Sequence, residues 1–188
     1  MRKLSWNEIR RPSPEALSET PRHPIRVVAH NIRSIHNVGA VFRTSDAARI
    51  EHLYLTGYTG TPEHPDLQKT ALGAQDTVPW SQHDDVHALL DAREATGDAI
   101  AVLEITDTPT HPSDVADADF PLCLVLGNEV HGVDDAIIDR ADLALELPQY
   151  GAKLSMNMSV AYGIAVHDLV RRARALFGAP EDVDVAAP

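Results

Sequence analysis

Residues 122–166, LCLVLGNEVHGVDDAIIDRADLALELPQYGAKLSMNMSVAYGIAV, decide how the rest of the chain is read. An unbroken apolar run (122–126) reads as a buried strand, followed by a polar, glycine-bearing turn (127–132). A short helix begins at about Asp134, and a second apolar run (143–147) reads as another strand. A loop at 148–153 then opens into a long helix. Two apolar runs joined through a helix mark a parallel α/β sheet buried on both faces. Such sheets hold ligands at the carboxyl ends of their strands. Here those ends carry Gly127-Asn128-Glu129 and residues 148–157, two polar loops where a ligand would sit.

Outward from this stretch the same alternation continues. Residues 1–24 hold four prolines among charges and read as an extended arm with at most a short helix at 6–10. Strands are expected at 25–32, 52–57, 77–80 and 99–105, and helices at 37–48, 65–72 and 84–96. A proline-containing connection, 108–120, returns to the opening stretch. The pattern predicts one α/β domain over 25–177, a mostly parallel sheet with helices on both faces, and a disordered tail at 178–188. The last helix, 157–177, would be ~30 Å long. Its first half, Val160-Ala161-Tyr162-Gly163-Ile164-Ala165-Val166, is apolar almost all round, so it needs a cover on every side. A domain of this size has little surface to spare for that, which points to a homodimer.

Composition narrows the class. In 188 residues, 44% are hydrophobic and 23% charged, ordinary values for a water-soluble globular protein. There is no apolar run long enough to span a bilayer and no secretory leader, so a cytoplasmic protein is expected, without membrane association. The single cysteine, Cys123, lies inside an apolar strand and reads as inert core. Net charge is −12, yet residues 1–60 hold nine Lys/Arg against five Asp/Glu, a local balance of +4 that leaves −16 for the remainder. That asymmetry permits a basic face on an acidic protein.

Several signatures are absent. No GxGxxG follows the first strand and there is no Walker lysine motif, which weakens ordinary dinucleotide and P-loop readings. His83 and His87 in HDDVH have helical spacing, but Asp84 stands where a zinc helix carries glutamate, so no metal is expected. Three segments remain: Asn31-x-Arg33-Ser34-x-x-Asn37-x-Gly39-x-x-x-Arg43-Thr44, Gly127-Asn128-Glu129-x-x-Gly132, and Pro148-x-x-Gly151-x-x-x-Ser155-x-Asn157. Their glycines can be read as turn formers, or Gly39 as an approach for a phosphate at a helix N-terminus. Asn37, Ser155 and Asn157 can be read as helix caps. If its helix is short and irregular, Arg43 could reach the same pocket as Asn37. It is the hardest of the set to explain structurally, because a guanidinium in an apolar helix interface needs a partner.

These three ordered motifs resemble those of the SPOUT superfamily, specifically its TrmH/SpoU branch of RNA ribose 2′-O-methyltransferases, over about residues 25–169. The resemblance implies a C-terminal deep trefoil knot, which chain-topology rules alone would not suggest. It implies S-adenosylmethionine bound by backbone groups near Leu103, Gly127, Leu147 and Met156, with the loop containing Gly151 closing over it. It also implies catalytic or substrate-positioning roles for Asn37, Arg43, Glu129, Ser155 and Asn157, with Arg43 supplied by the other subunit of a homodimer. The expected reaction is methyl transfer to a ribose 2′-hydroxyl of tRNA or rRNA. Candidate RNA contacts are the basic arm (Arg2, Lys3, Arg10, Arg11), Arg33 with Ser34, and the cluster at Arg171. The alternatives are a SPOUT enzyme acting on an RNA base and a non-catalytic knotted protein that binds or assembles RNA.

Overall fold

In β1 (His23–His30) and β5 (Leu122–Leu126), alternate side chains must point to opposite faces, and both faces are apolar. Val27, Ala29, Leu122, Leu124 and Leu126 join one core cluster, while Val28, Cys123 and Val125 join the other. Each face therefore needs its own layer of helices. The computed structural model describes residues 1–9, 13, 17 and 20–178. After β1 come α1 (Ile35–Ala48), β2 (Ile50–Thr56), α2 (Pro65–Ala71), β3 (Trp80–His83), α3 (Val86–Glu94) and β4 (Ala99–Leu103). Then follow β5, α4 (Asp135–Ile138), β6 (Leu143–Leu145) and α5 (Met158–Phe177).

The strands lie in the order β3-β2-β1-β5-β4-β6 and every pairing is parallel. Chain direction across the sheet reverses between β1 and β5, so the carboxyl ends of the central strands open onto one crevice. Buried residues of α1, α2 and α5 belong to one core cluster, and those of α3 and α4 to the other. A fully buried pair ties α5 to α1: the Tyr162 hydroxyl and Ser45 Oγ are 2.8 Å apart. Losing one partner would strand the other in a dry core, at a cost of ~1–3 kcal/mol.

Several boundaries differ from expectation. β1 starts at His23 rather than 25, β4 stops at Leu103, and the third strand lies at Trp80–His83, beyond a 3-10 turn at Ala74–Asp76. In the arm a 3-10 turn forms at Trp6–Glu8, while Arg10 and Arg11 lie outside the described residues, as does 179–188 of the tail. Gly39 does not open a phosphate site. A Cβ there would press on Thr70 and the Leu67 carbonyl, so the glycine lets α2 lie against α1. At least three of the nine basic residues in the first 60 have structural partners. Arg22 donates to the carbonyls of Ile50 and Thr77, Arg49 to those of Leu17 and Thr20, and Arg26 pairs with Asp98 (2.7 Å) and Glu51 (2.5 Å).

The last helix behaves only partly as its composition suggests. Tyr162, Ala165, Val166 and Leu169 are buried, but Val160 and Ile164 are 53% and 44% exposed. Together with Ala40, Thr44 and Ala47 of α1 and Gly163, they line an apolar groove left open among the described residues. Among the described residues no helix is long and apolar enough to cross a membrane.

Candidate functional site

The loop after β5 turns back on itself so tightly that two glycines are required. Asn128 and Gly132 exchange paired main-chain hydrogen bonds, both 2.9 Å. A Cβ on Gly127 would run into the Gly132 carbonyl and the Val133 nitrogen. Gly132 adopts φ +73°, a left-handed conformation natural to glycine. Glu104, the first residue after β4, braces this turn: its carboxylate accepts from the amides of Val133 and Ile105, both at 2.9 Å. The buried Asn128 side chain completes the brace. Its Oδ1 accepts from the amides of Val130 and His131, and its Nδ2 donates to the Asn31 carbonyl (2.9 Å) and the Tyr58 hydroxyl (2.7 Å). Nearby, buried His30 lies between Thr56 Oγ1 (2.8 Å) and Asp134 Oδ2 (3.1 Å).

The three sequence motifs meet through one chain of hydrogen bonds. Ser34 caps α1, its Oγ accepting from the Asn37 amide. The Glu129 carboxylate lies against this helix start and accepts from the Arg33 amide (2.8 Å), the Ser34 amide (3.0 Å) and Asn37 Nδ2 (2.8 Å). Asn157 Nδ2 donates to Asn37 Oδ1 (3.1 Å), while its own Oδ1 caps α5 by accepting from the amides of Ser159 and Val160. Partial burial raises the Glu129 carboxyl pKa, but the donations from Arg33, Asn37 and Ser34 outweigh it and hold the group below its ordinary range. A carboxylate at a helix N-terminus is also favoured by the helix dipole.

This clasp borders a cavity of about 310 Å³ at the carboxyl ends of β4, β5 and β6. Small-ligand sites run from ~300 to 1,000 Å³. Leu103, Gly127, Leu147 and Met156 all line it, as do Glu129, Ser155 and Asn157. Its walls are apolar (Leu103, Leu126, Leu145, Leu147) and its rim is backbone-rich loop, a combination suited to a flat heteroaromatic ring read by amides and carbonyls. Gly151 departs from expectation: it does not line the cavity, and its Cα faces open space.

Other expected residues lie elsewhere in the chain. α1 runs unbroken from Ile35 to Ala48, so Arg43 is turned ~120° from Asn37. It opens instead onto the apolar groove with Val160, Ile164 and His167, and within one chain it does not join the clasp. The idea that an irregular helix start might bring both into one pocket is therefore corrected. Arg33 is exposed, and its amide meets Glu129. Arg171 pairs with Asp168 (3.2 Å) and lies ~21 Å along α5 from Asn157, remote from this chain's cavity. Glu104 and the bracing role of Asn128 were not foreseen. Glu104 could have been suspected as a carboxylate placed directly after a buried apolar strand.

The sequence profile of the SpoU rRNA Methylase family matches residues 24–167. The chain is 27% identical over 149 residues to a 23S rRNA (guanosine-2'-O-)-methyltransferase RlmB of Vibrio parahaemolyticus, covering 79% of this chain and 60% of that protein. Among solved structures it resembles the A. aeolicus TrmH/SpoU tRNA modifying enzyme, at 27% identity and a TM-score of 0.76, covering 88% of this chain and 84% of that one. It also shares its fold with the SpoU methyltransferase AviRb of Streptomyces viridochromogenes, solved with the cofactor AdoMet, at 21% identity and a TM-score of 0.74, covering 84% and 63%. The chain spans about six tenths of the length of the curated relatives it matches.

Proposed function

The chain belongs to the SpoU rRNA Methylase family, and from that premise we propose that it transfers a methyl group from S-adenosylmethionine to a ribose 2′-hydroxyl of tRNA or rRNA, acting as a homodimer. The observation that carries the reading is the hydrogen-bonded clasp of Asn37, Glu129 and Asn157 at the mouth of the cavity between β4, β5 and β6. The cavity's apolar walls and backbone rim fit an adenosyl group, held by main-chain groups at Leu103, Gly127, Leu147 and Met156. The bound donor supplies an electrophilic sulfonium methyl. We also take the trefoil knot as part of this reading. It is supported by the path of residues 146–157, which leave β6 at one sheet edge, border the cavity beside the β5 turn and enter α5 against α1.

The residues of this chain then have distinct tasks. A ribose hydroxyl is a weak nucleophile at neutral pH, so alignment carries much of the rate, worth up to ~7–11 kcal/mol in well-oriented systems. Ser155 and Asn157, both on the cavity wall, orient that hydroxyl. Asn37 and Glu129 fix Asn157 and hold the β5 turn against the start of α1. Arg43 holds the target phosphate and stabilises the developing alkoxide, since a guanidinium stays protonated and is no general base. It reaches the site of a partner subunit packed on the groove formed by α1 and α5, where Val160 and Ile164 need cover.

The decisive test mixes two inactive subunits. Arg43→Lys should abolish methyl transfer to RNA while leaving donor affinity intact, and Asn157→Ala should do likewise. Co-folded as mixed dimers, they should recover turnover, because one composite site regains both residues. Full activity of Arg43→Lys alone, or no recovery on mixing, refutes the shared site. Failure of the wild-type protein to bind S-adenosylmethionine in calorimetry refutes the methyltransferase reading itself.

A further inference from the structure

Tyr58 follows β2 at the same end of the sheet as the clasp, and its side chain is 62% exposed. A lone exposed tyrosine is ordinary. This one is unusually well held. Its hydroxyl accepts from Nδ2 of buried Asn128 (2.7 Å), and its main-chain amide donates to Oδ1 of Asn31 (3.3 Å). The next residue, Thr59, is buried, its Oγ1 donating to the Ala29 carbonyl (2.9 Å) and accepting from the Ile32 amide (3.0 Å). The ring is thus exposed on an anchored backbone, one hydrogen bond from the turn that lines the cavity.

The bland account makes the phenol a cap for the second N–H of Asn128. That account needs the hydroxyl and has no use for the ring. We propose that the exposed face of Tyr58 is a stacking platform for a nucleobase of an unpaired RNA strand entering the site. This rests on the reading of RNA as substrate. Unpaired bases are recognised by stacking on aromatic side chains, and every base offers a π face. A ring already fixed at both ends gives up little freedom when a base lands on it. Arg33 is exposed and bonded through its amide to Glu129, the residue after Asn128, so a cation for the strand's phosphate stands on the β1–α1 connection that meets that turn.

Fluorescence anisotropy with a labelled single-stranded oligoadenylate of about a dozen nucleotides, beside an abasic strand of equal length, tests this. Tyr58→Ala and Tyr58→Leu should weaken binding of the base-bearing strand by roughly 5- to 150-fold, the span expected for one stacked base. Both should leave the abasic strand unchanged. Tyr58→Phe and Tyr58→Trp should stay within about threefold of wild type, whereas Arg33→Ala should weaken both strands, as a phosphate contact does. The proposal is overturned if Tyr58→Ala binds like wild type or weakens both strands equally. It is equally overturned if Tyr58→Phe is as weak as Tyr58→Ala, or if the wild type does not distinguish the strands. Because binding is read rather than methyl transfer, failure of the proposed activity would show separately, as a wild type that stacks RNA but takes up no donor.

Discussion

Gly127→Ala puts the loop geometry to its sharpest test. Its methyl group would meet the Gly132 carbonyl and the Val133 nitrogen, both main-chain atoms. Neither can swing aside: Gly132 is paired with Asn128 by two 2.9 Å bonds, and the Val133 amide is held by Glu104. Carbon atoms rest at ~3.5 Å or more from such neighbours, so the two arms of the turn must part by about 1 Å. That carries both 2.9 Å bonds out of range. Two lost main-chain bonds at ~1 kcal/mol each, with overpacking of ~1–3 kcal/mol, give a loss of about 3–5 kcal/mol. For a domain of this size the melting temperature should fall by roughly 6–20 °C. Since Gly127 and Glu129 both line the cavity, calorimetric affinity for S-adenosylmethionine should fall by ~10-fold or more. Gly151→Ala is the control, because its Cβ would meet nothing within 4 Å and the residue lies off the cavity wall. A Gly127→Ala protein that melts within a degree of wild type and binds the donor equally well would refute the reasoning.

The Glu129 carboxyl is held below its ordinary value of 4.5, so the clasp's contribution is complete above that value and is lost as pH falls through the lower value in the folded protein. Donor affinity measured against pH should show this acidic limb, and Glu129→Gln should remove the limb while lowering affinity at neutral pH. Cys123 is buried in the core on one face of the sheet and its thiol is pushed up to about 12, so iodoacetamide at pH 8 should modify it only after denaturation. Modification of the native protein at the denatured rate would contradict that burial. Val160→Asp with Ile164→Asp should turn a dimer into a monomer in analytical ultracentrifugation without lowering helix content, since both side chains are exposed in the single chain. An unchanged sedimentation coefficient would remove the groove from the interface.

Fold and site were legible to different depths. The parallel sheet showed in runs such as Leu122–Leu126, because burial on both faces removes the polar alternation that a half-exposed strand keeps. Strand ends were less legible: Trp80–His83 carries a serine, a glutamine and a histidine, so its edge position beside β2 left no apolar run to find. Asn37, Glu129 and Asn157 were legible as a set through the resemblance of three ordered motifs to the TrmH/SpoU family, since by themselves Asn37 and Asn157 read equally as helix caps. Which atoms they join was not, since the partners are 92 and 120 residues apart.

What the sequence determined alone is therefore local: strand or helix, the glycine turn after Leu126, the cap at Asn157, the inert cysteine. Only the tertiary structure decided that Glu129 lies on the amides of Arg33 and Ser34, that Glu104 braces Gly132, and that Arg43 turns away from its own chain's cavity. The reason is physical. Periodicity and capping depend on neighbours a few residues apart, whereas a hydrogen bond between distant segments depends on the order in which the strands lie. Here that order, with β5 inserted between β1 and β4, brings the turn after β5 against the start of α1.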